Sequence, residues 1–210
     1  VERIETAVTP MAGKLLQRAA ALPDGANVLR YSSQVRPGEW TEEWPDQSGN
    51  PKSRTVSGDI WNAAVLAALD ATGCVYLPKR DQPYYLDGPI VLKSGQILVA
   101  DPEAEIRLQP GVNTCLLRNA NVFGSLEGPV PDKLTPDRDI LVQGGTWSTL
   151  RTARGTFNGN RRGRSDTRDS VPGIHGVLVL QNIHNVVVRN LTIRQSTPFG
   201  IQIGNGSGFL

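Results

Sequence analysis

Two segments near the end of the chain repeat each other at a spacing of 23 residues. Leu178-Val179-Leu180-Gln181-Asn182 returns as Ile201-Gln202-Ile203-Gly204-Asn205, and Val186 falls on Phe209. Going back 46 residues, twice that spacing, Asp139-Ile140-Leu141-Val142 falls on Asn185-Val186-Val187-Val188, and Thr146-Trp147 on Thr192-Ile193. Leu116-Leu117-Arg118-Asn119 resembles Val179-Leu180-Gln181-Asn182. A period in the twenties built from short apolar runs is the signature of a solenoid, in which no repeat buries its apolar face alone and stacking makes the core. The expectation is that Leu178, Leu180, Val186, Ile201, Ile203 and Phe209 point into one elongated core. Asn119, Asn182 and Asn205 are expected to stack at one corner, because asparagine tolerates left-handed backbone and its amide bonds to the next repeat. That corner role takes precedence over reading Asn190-Leu191-Thr192 and Asn205-Gly206-Ser207 as glycosylation sequons.

The N-terminal half prepares the repeat. Thr9-Pro10 reads as an N-cap with proline at the first helical position, and the helix runs to Leu22, where Pro23-Asp24-Gly25 stops it. Residues 31–55 are polar and turn-rich, with Trp40 and Trp44 as isolated anchors, and are expected to be irregular and extended. A second helix is expected from Ser57 to Ala71, with Gly73 as its C′ glycine. It is apolar on nearly every side, so it is expected to cover the open mouth of the solenoid. Short strands follow, at Val75-Tyr76-Leu77, Tyr84-Tyr85-Leu86, Ile90-Val91-Leu92, Ile97-Leu98-Val99 and Glu105-Ile106-Arg107-Leu108, divided by Pro, Gly, Asp and Ser turns. The chain thus divides into an N-terminal extension, 1–56, and the first repeats of an all-β domain, 57–210. It opens on Val1 and breaks off in mid-repeat at Leu210, so a cut piece of a longer protein is expected.

Charge is local. The net charge of +2 does not by itself imply nucleic acid. Residues 148–174, however, hold Arg151, Arg154, Arg161, Arg162, Arg164 and Arg168 against Asp166 and Asp169, a surplus of four. Insertions on one face of a solenoid often build a binding groove, and arginine forks match carboxylates. Arg161, Arg162, Arg164 and Arg168, with His175 just beyond, are the candidate substrate-binding residues for an acidic partner. The plainer reading is a solvated basic loop. Phe157 is the only aromatic there, so no stacking platform for nucleic acid is visible. His184 sits at a turn and reads as structural. Gly204-Asn205-Gly206-Ser207-Gly208 lacks the lysine and the helix of a phosphate loop. Cys74 and Cys115 lie in apolar surroundings, match no zinc spacing and read as small buried hydrophobes. No metal or cofactor is expected, and no apolar run is long enough to span a membrane.

The order of an apolar helix, Gly73-Cys74-Val75-Tyr76-Leu77-Pro78, the run from Asp87 to Gly95, and Ile140-Leu141-Val142-Gln143-Gly144-Gly145-Thr146-Trp147 resembles the start of the pectate lyase superfamily. The run from Val186 to Ile203 is more similar to its polygalacturonases and rhamnogalacturonases. The resemblance covers 58–210. It implies a right-handed parallel β-helix, a single-stranded solenoid, in a secreted or periplasmic glycoside hydrolase. Its substrate would be an acidic plant cell-wall polysaccharide (pectin, polygalacturonate or rhamnogalacturonan), cleaved by inverting hydrolysis. The same fold also serves polysaccharide lyases, uronate epimerases and non-enzymatic tailspike or adhesin modules. The family's Asn-Thr-Asp-Gly, Asp-Asp, Gly-His and Arg-x-Lys patterns do not occur here. No catalytic residue is therefore carried over; such residues are expected beyond Leu210, and residues 1–210 alone are expected to be inactive.

Overall fold

The computed structural model describes residues 10–110, 112, 114–122, 134–151, 176–196 and 199–204. Helix α1 spans Pro10–Ala20, with Pro10 as its first helical residue, and two 3₁₀ segments follow at Asp24–Ala26 and Val28–Gln34. Strands β1 (Arg36–Pro45) and β2 (Pro51–Ile60) form an antiparallel hairpin, and α2 spans Asn62–Thr72. Twelve strands come next: β3 (Cys74–Leu77), β4 (Tyr84–Leu86), β5 (Ile90–Leu92), β6 (Ile97–Ala100), β7 (Glu105–Leu108), β8 (Leu117–Asn119), β9 (Asp137–Gln143), β10 (Thr146–Arg151), β11 (Gly176–Gln181), β12 (Ile183–Arg189), β13 (Thr192–Ser196) and β14 (Phe199–Gly204).

The chain is all-β in character, with its strands mostly in parallel sheets. From β3 onward consecutive strands enter three sheets in rotation. One sheet has the order β12-β9-β6-β3, the second β1-β2-β4-β7-β10-β13, the third β14-β11-β8-β5. Every named pair except β1–β2 is parallel. The repeats found in the sequence are the ladders of these sheets. Leu178 pairs with Ile201 and Leu180 with Ile203; Val186 pairs with Ile140, Val187 with Leu141, and Trp147 with Ile193.

Within each strand the side chains alternate, and the inward set meets in one apolar cluster. It contains Val75, Tyr84, Leu86, Ile90, Leu98, Ile106, Leu117, Val142, Trp147, Leu178 and Leu180. Ala64, Val65, Ala68 and Leu69 of α2 join that cluster against the first strands, so the helix covers them as its all-round apolar surface requires. Gly73 ends α2 at φ +71, its N–H donating to Leu69 O at 2.8 Å.

Several expectations are corrected. The second helix does not open at Ser57. Val56, Gly58 and Ile60 lie on one face of β2 and pair with Trp40, Gly38 and Arg36, a period of two that wins over helix formation until Asn62. The expected division at 56/57 therefore falls inside a strand. The stretch 31–55 is not irregular but ends a 3₁₀ segment and forms most of the hairpin. Leu117 and Arg118 pair with Leu178 and Val179, two positions away from the expected alignment. The reason lies in Asn119, which is fully buried: it donates to Gln181 O (2.7 Å) and Asp137 Oδ2 (2.8 Å) and accepts from Gln181 N–H (2.9 Å). Asn182, by contrast, takes the left-handed corner at φ +48 and donates to Asn121 O, so Asn119 and Asn182 do not stack. Asn205, Val186's expected partner Phe209 and the chain beyond Gly204 lie outside the described residues. Finally, Ile201 and Ile203 keep their register but are 40% and 49% exposed, because no described strand lies beyond β14 in that sheet.

Replacing Asn119 with alanine removes the amide that bonds both backbone groups of Gln181, while Asp137 Oδ2 keeps Asn121 N–H. The expected loss is about 2 kcal/mol, seen as a lower denaturant midpoint at unchanged slope. A midpoint within error of wild type would show that water replaces the amide.

Candidate functional site

The three sheets differ in what covers their outer faces. On the β12-β9-β6-β3 sheet, Cys74, Ile97, Val99 and Leu141 point outward and lie under Leu15, Leu16 and Ala19 of α1. On the β14-β11-β8-β5 sheet, Val179 is covered by Cys115 and Val122. Both cysteines are buried, and neither is in a disulfide. The outer face of β7-β10-β13 is polar instead, and forms the candidate site.

This face is a grid set by the ladder. Ile106, Trp147 and Ile193 pair with one another and point inward, so the residues on either side of them point outward. One outward row is Glu105, Thr146 and Thr192; the next is Arg107, Ser148 and Arg194. Glu105, Arg107, Thr146, Ser148, Arg194 and Gln195 line a shallow concavity of about 280 Å³. Arg107 Nη2 donates to Glu105 Oε2 at 2.5 Å. Ser148 Oγ donates to Gln195 Oε1, and Thr149 Oγ1 to Gln195 O, both at 2.9 Å. Gln195 sits at φ +48 where the β10–β13 register shifts, so the kink turns its backbone and side chain onto β10. Toward the hairpin the second row continues to Tyr85, which packs edge-on against Trp40 at 4.5 Å. A Cβ on Gly58 would meet the Tyr85 ring at 2.8 Å, so glycine is what lets the hairpin lie this close.

Chemically this is a surface of hydroxyls, an amide and two guanidinium groups, suited to hydroxyl-rich and acidic ligands. Among the described residues no cluster of metal-ligating side chains occurs, and Glu105 is the one carboxylate of the concavity. Glycoside hydrolysis takes two carboxyl groups. Among the described residues this face presents one, Glu105.

The predicted site residues Arg161, Arg162, Arg164, Arg168 and His175 lie outside the described residues, as does most of the basic run. Its attachment is informative: it leaves from β10, the central strand of the grid, and returns as β11. His184 lies on β12, exposed and away from the grid. The residues that line the concavity were missed in the sequence, although the alternation in Glu105-Ile106-Arg107-Leu108 and its echo at Thr146-Trp147-Ser148 and Thr192-Ile193-Arg194 carry the signal.

A second concavity, of about 430 Å³, lies beside the hairpin base and includes Ser32, Asp59, Trp61 and Arg80. Its arginine is held in place, although Nη1 is buried with no hydrogen-bond partner among the described residues. Arg80 Nη2 donates to Asp59 at 2.8 Å, and the guanidinium carbon lies 4.3 Å from the Trp61 ring centroid and 5.1 Å from that of Tyr84. Burial pushes the Tyr84 hydroxyl well above the ordinary tyrosine range, and it donates to Pro78 O at 2.7 Å. The cluster locks the hairpin to the body. No helix among the described residues is long and apolar enough to cross a membrane. Compared with protein-family models, with curated proteins and with solved structures, the chain matches none.

Proposed function

We propose that this chain forms coils of a right-handed parallel β-helix of the pectate lyase type and binds an acidic polysaccharide along the outer face of β7-β10-β13. The protein it serves is a carbohydrate-active enzyme, a glycoside hydrolase acting on pectin, polygalacturonate or rhamnogalacturonan by inverting hydrolysis. The single observation that carries the binding role is the row Arg107–Ser148–Arg194, two guanidinium groups flanking a hydroxyl on the successive strands β7, β10 and β13. Rotation through three sheets at the spacing of the sequence repeat supports the fold. The enzyme class rests on the sequence resemblance. The basic run 148–174, which follows directly on β10 in the chain, carries six arginines.

The commitment of Glu105 to Arg107 favours a second reading, a binding module without catalysis. The two readings share their first test. The chain is expected to bind oligogalacturonate at low salt and to lose it at high salt, with little affinity for a neutral oligosaccharide of equal length. Replacing both Arg107 and Arg194 with alanine is expected to weaken oligogalacturonate binding about tenfold, from two lost charge-assisted contacts at a partly exposed site. Equal binding of charged and neutral oligosaccharides by wild type would overturn the proposal.

A further inference from the structure

The two arginines of the row are not equivalent. Arg107 is two-thirds buried at its side chain and hydrogen-bonded to Glu105, its same-face neighbour on β7. Arg194 is exposed, and among the described residues no carboxylate forms an ion pair with it. Along the stacking direction the second row therefore presents a neutralised cation, a hydroxyl and an open cation. Neighbouring strands are about 4.8 Å apart, so the two guanidinium-bearing positions are separated by roughly 10 Å.

We infer that Glu105 is a specificity-determining residue that tunes this face to glycans with widely spaced carboxylates and against glycans charged on every sugar. The inference rests on the reading that this face binds acidic glycan. A chain lying across β7, β10 and β13 sets one carboxylate on Arg194. If every sugar is charged, another carboxylate comes against Glu105, where like charges repel and the Arg107 charge is already paired through Nη2. If the sugar over β7 is neutral, Glu105 accepts hydrogen bonds from its hydroxyls, and Thr146 beside it adds a further hydroxyl contact. Glu105 thus converts an arginine that would attract any carboxylate into a position that favours an uncharged sugar. Discrimination of this kind works by placing a repulsive group against the wrong ligand.

Glu105→Gln tests this, because it keeps the shape and the acceptor oxygen and removes the charge. The probes are three galacturonate oligomers of one length: fully charged, with only every third carboxylate left free and the rest masked as methyl esters, and fully esterified. A sugar spans roughly one strand spacing, so with every third carboxylate free a charge on Arg194 leaves a neutral sugar over β7. Wild type is expected to prefer the sparsely charged oligomer to the fully charged one. In Glu105→Gln the fully charged oligomer is expected to gain about threefold in affinity at low salt, the gain shrinking as salt rises, while the sparsely charged oligomer changes little. If both charged oligomers move together, or neither moves, Glu105 merely props Arg107 and the inference fails while acidic-glycan binding stands. If wild type binds the fully esterified oligomer as well as the charged ones, the reading of the face fails first.

Discussion

Gly144→Ala is expected to cost this protein about 4 kcal/mol or more, enough to lower the melting temperature by roughly 10 °C in a chain of this size. Gly144 forms the corner between β9 and β10 at φ +80. A Cβ there would lie 2.0 Å from the carbonyl oxygen of Ala100 and 3.0 Å from its carbonyl carbon. Both are backbone atoms of the neighbouring strand β6, so no rotamer change makes room. The corner is also tied on every side: Gly144 N–H donates to Arg189 O at 3.1 Å, and its carbonyl accepts from the indole N–H of the fully buried Trp147 at 2.9 Å. Pushing the corner outward strains these bonds and lifts Trp147 from Ile106 and Ile193. Positive φ alone is not the cause, since Asn190, 46 residues on, holds the equivalent corner at φ +55. Gly73→Ala separates the two effects. Gly73 has φ +71 with no atom within 4 Å of a built Cβ, so it is expected to lose only about 1 to 2 kcal/mol, the left-handed penalty. Equal melting of the two variants would show that the β9–β10 corner is not closed against Ala100.

That corner was legible in part. Gly144-Gly145 followed by Thr146-Trp147, echoed by Asn190-Leu191-Thr192-Ile193, marks a turn before an inward side chain. The 46-residue spacing reads as two repeats, whereas β9 pairs with β12 and β10 with β13 directly, one rung apart, because the chain between β10 and β11 is long. The residue alignment within those pairs, and the pairing of β11 with β14, were legible because stacked strands repeat the same demand for an inward apolar side chain. The hairpin was not legible for the opposite reason. Residues 51–55 are all exposed, so no buried face imposed a period of two on them, and their Ser, Pro and Lys content resembles a loop. Asn119 misled the β8 alignment, since an asparagine at a strand end looks like a corner residue even when it faces inward. The run Ile97-Leu98-Val99-Ala100 carried a signal that single-face reasoning misses. A strand buried on both faces needs a second cover, and α1 supplies it. The polar grid hid behind ordinary polar alternation. Glu105 and Arg107 look like any solvated pair until the ladder sets Ser148 and Arg194 beside them.

Leu69→Asp is expected to be still more damaging, because it places a charge where the protein has no partner for it. Leu69 is 2% exposed on α2 and belongs to the central cluster with Val75, Leu77, Tyr84, Leu86, Ile90 and Leu92. A carboxylate there must either stay neutral or open the interface to water, and either route costs several kcal/mol, about 5 with the lost apolar packing. The backbone around it has little freedom to adapt. Leu69 O accepts from Gly73 N–H at 2.8 Å and from the buried Gln96 Nε2 at 3.2 Å, which ties the end of α2 to the turn before β6. Loss of the helix would bare the first strands of the parallel sheets, whose apolar inner faces and free edges favour association. The variant is therefore expected to melt far lower and to aggregate as it melts. The residue beside it is the control. Asp70 points to solvent and meets Lys93 at 2.9 Å, with both side chains about two-thirds exposed, and Asp70→Ala is expected to change stability by less than about 1 kcal/mol. Adjacent substitutions on one helix thus give opposite results if α2 closes the core. Wild-type-like melting of Leu69→Asp would show that the helix lies at the periphery, and that the first strands are covered by something else.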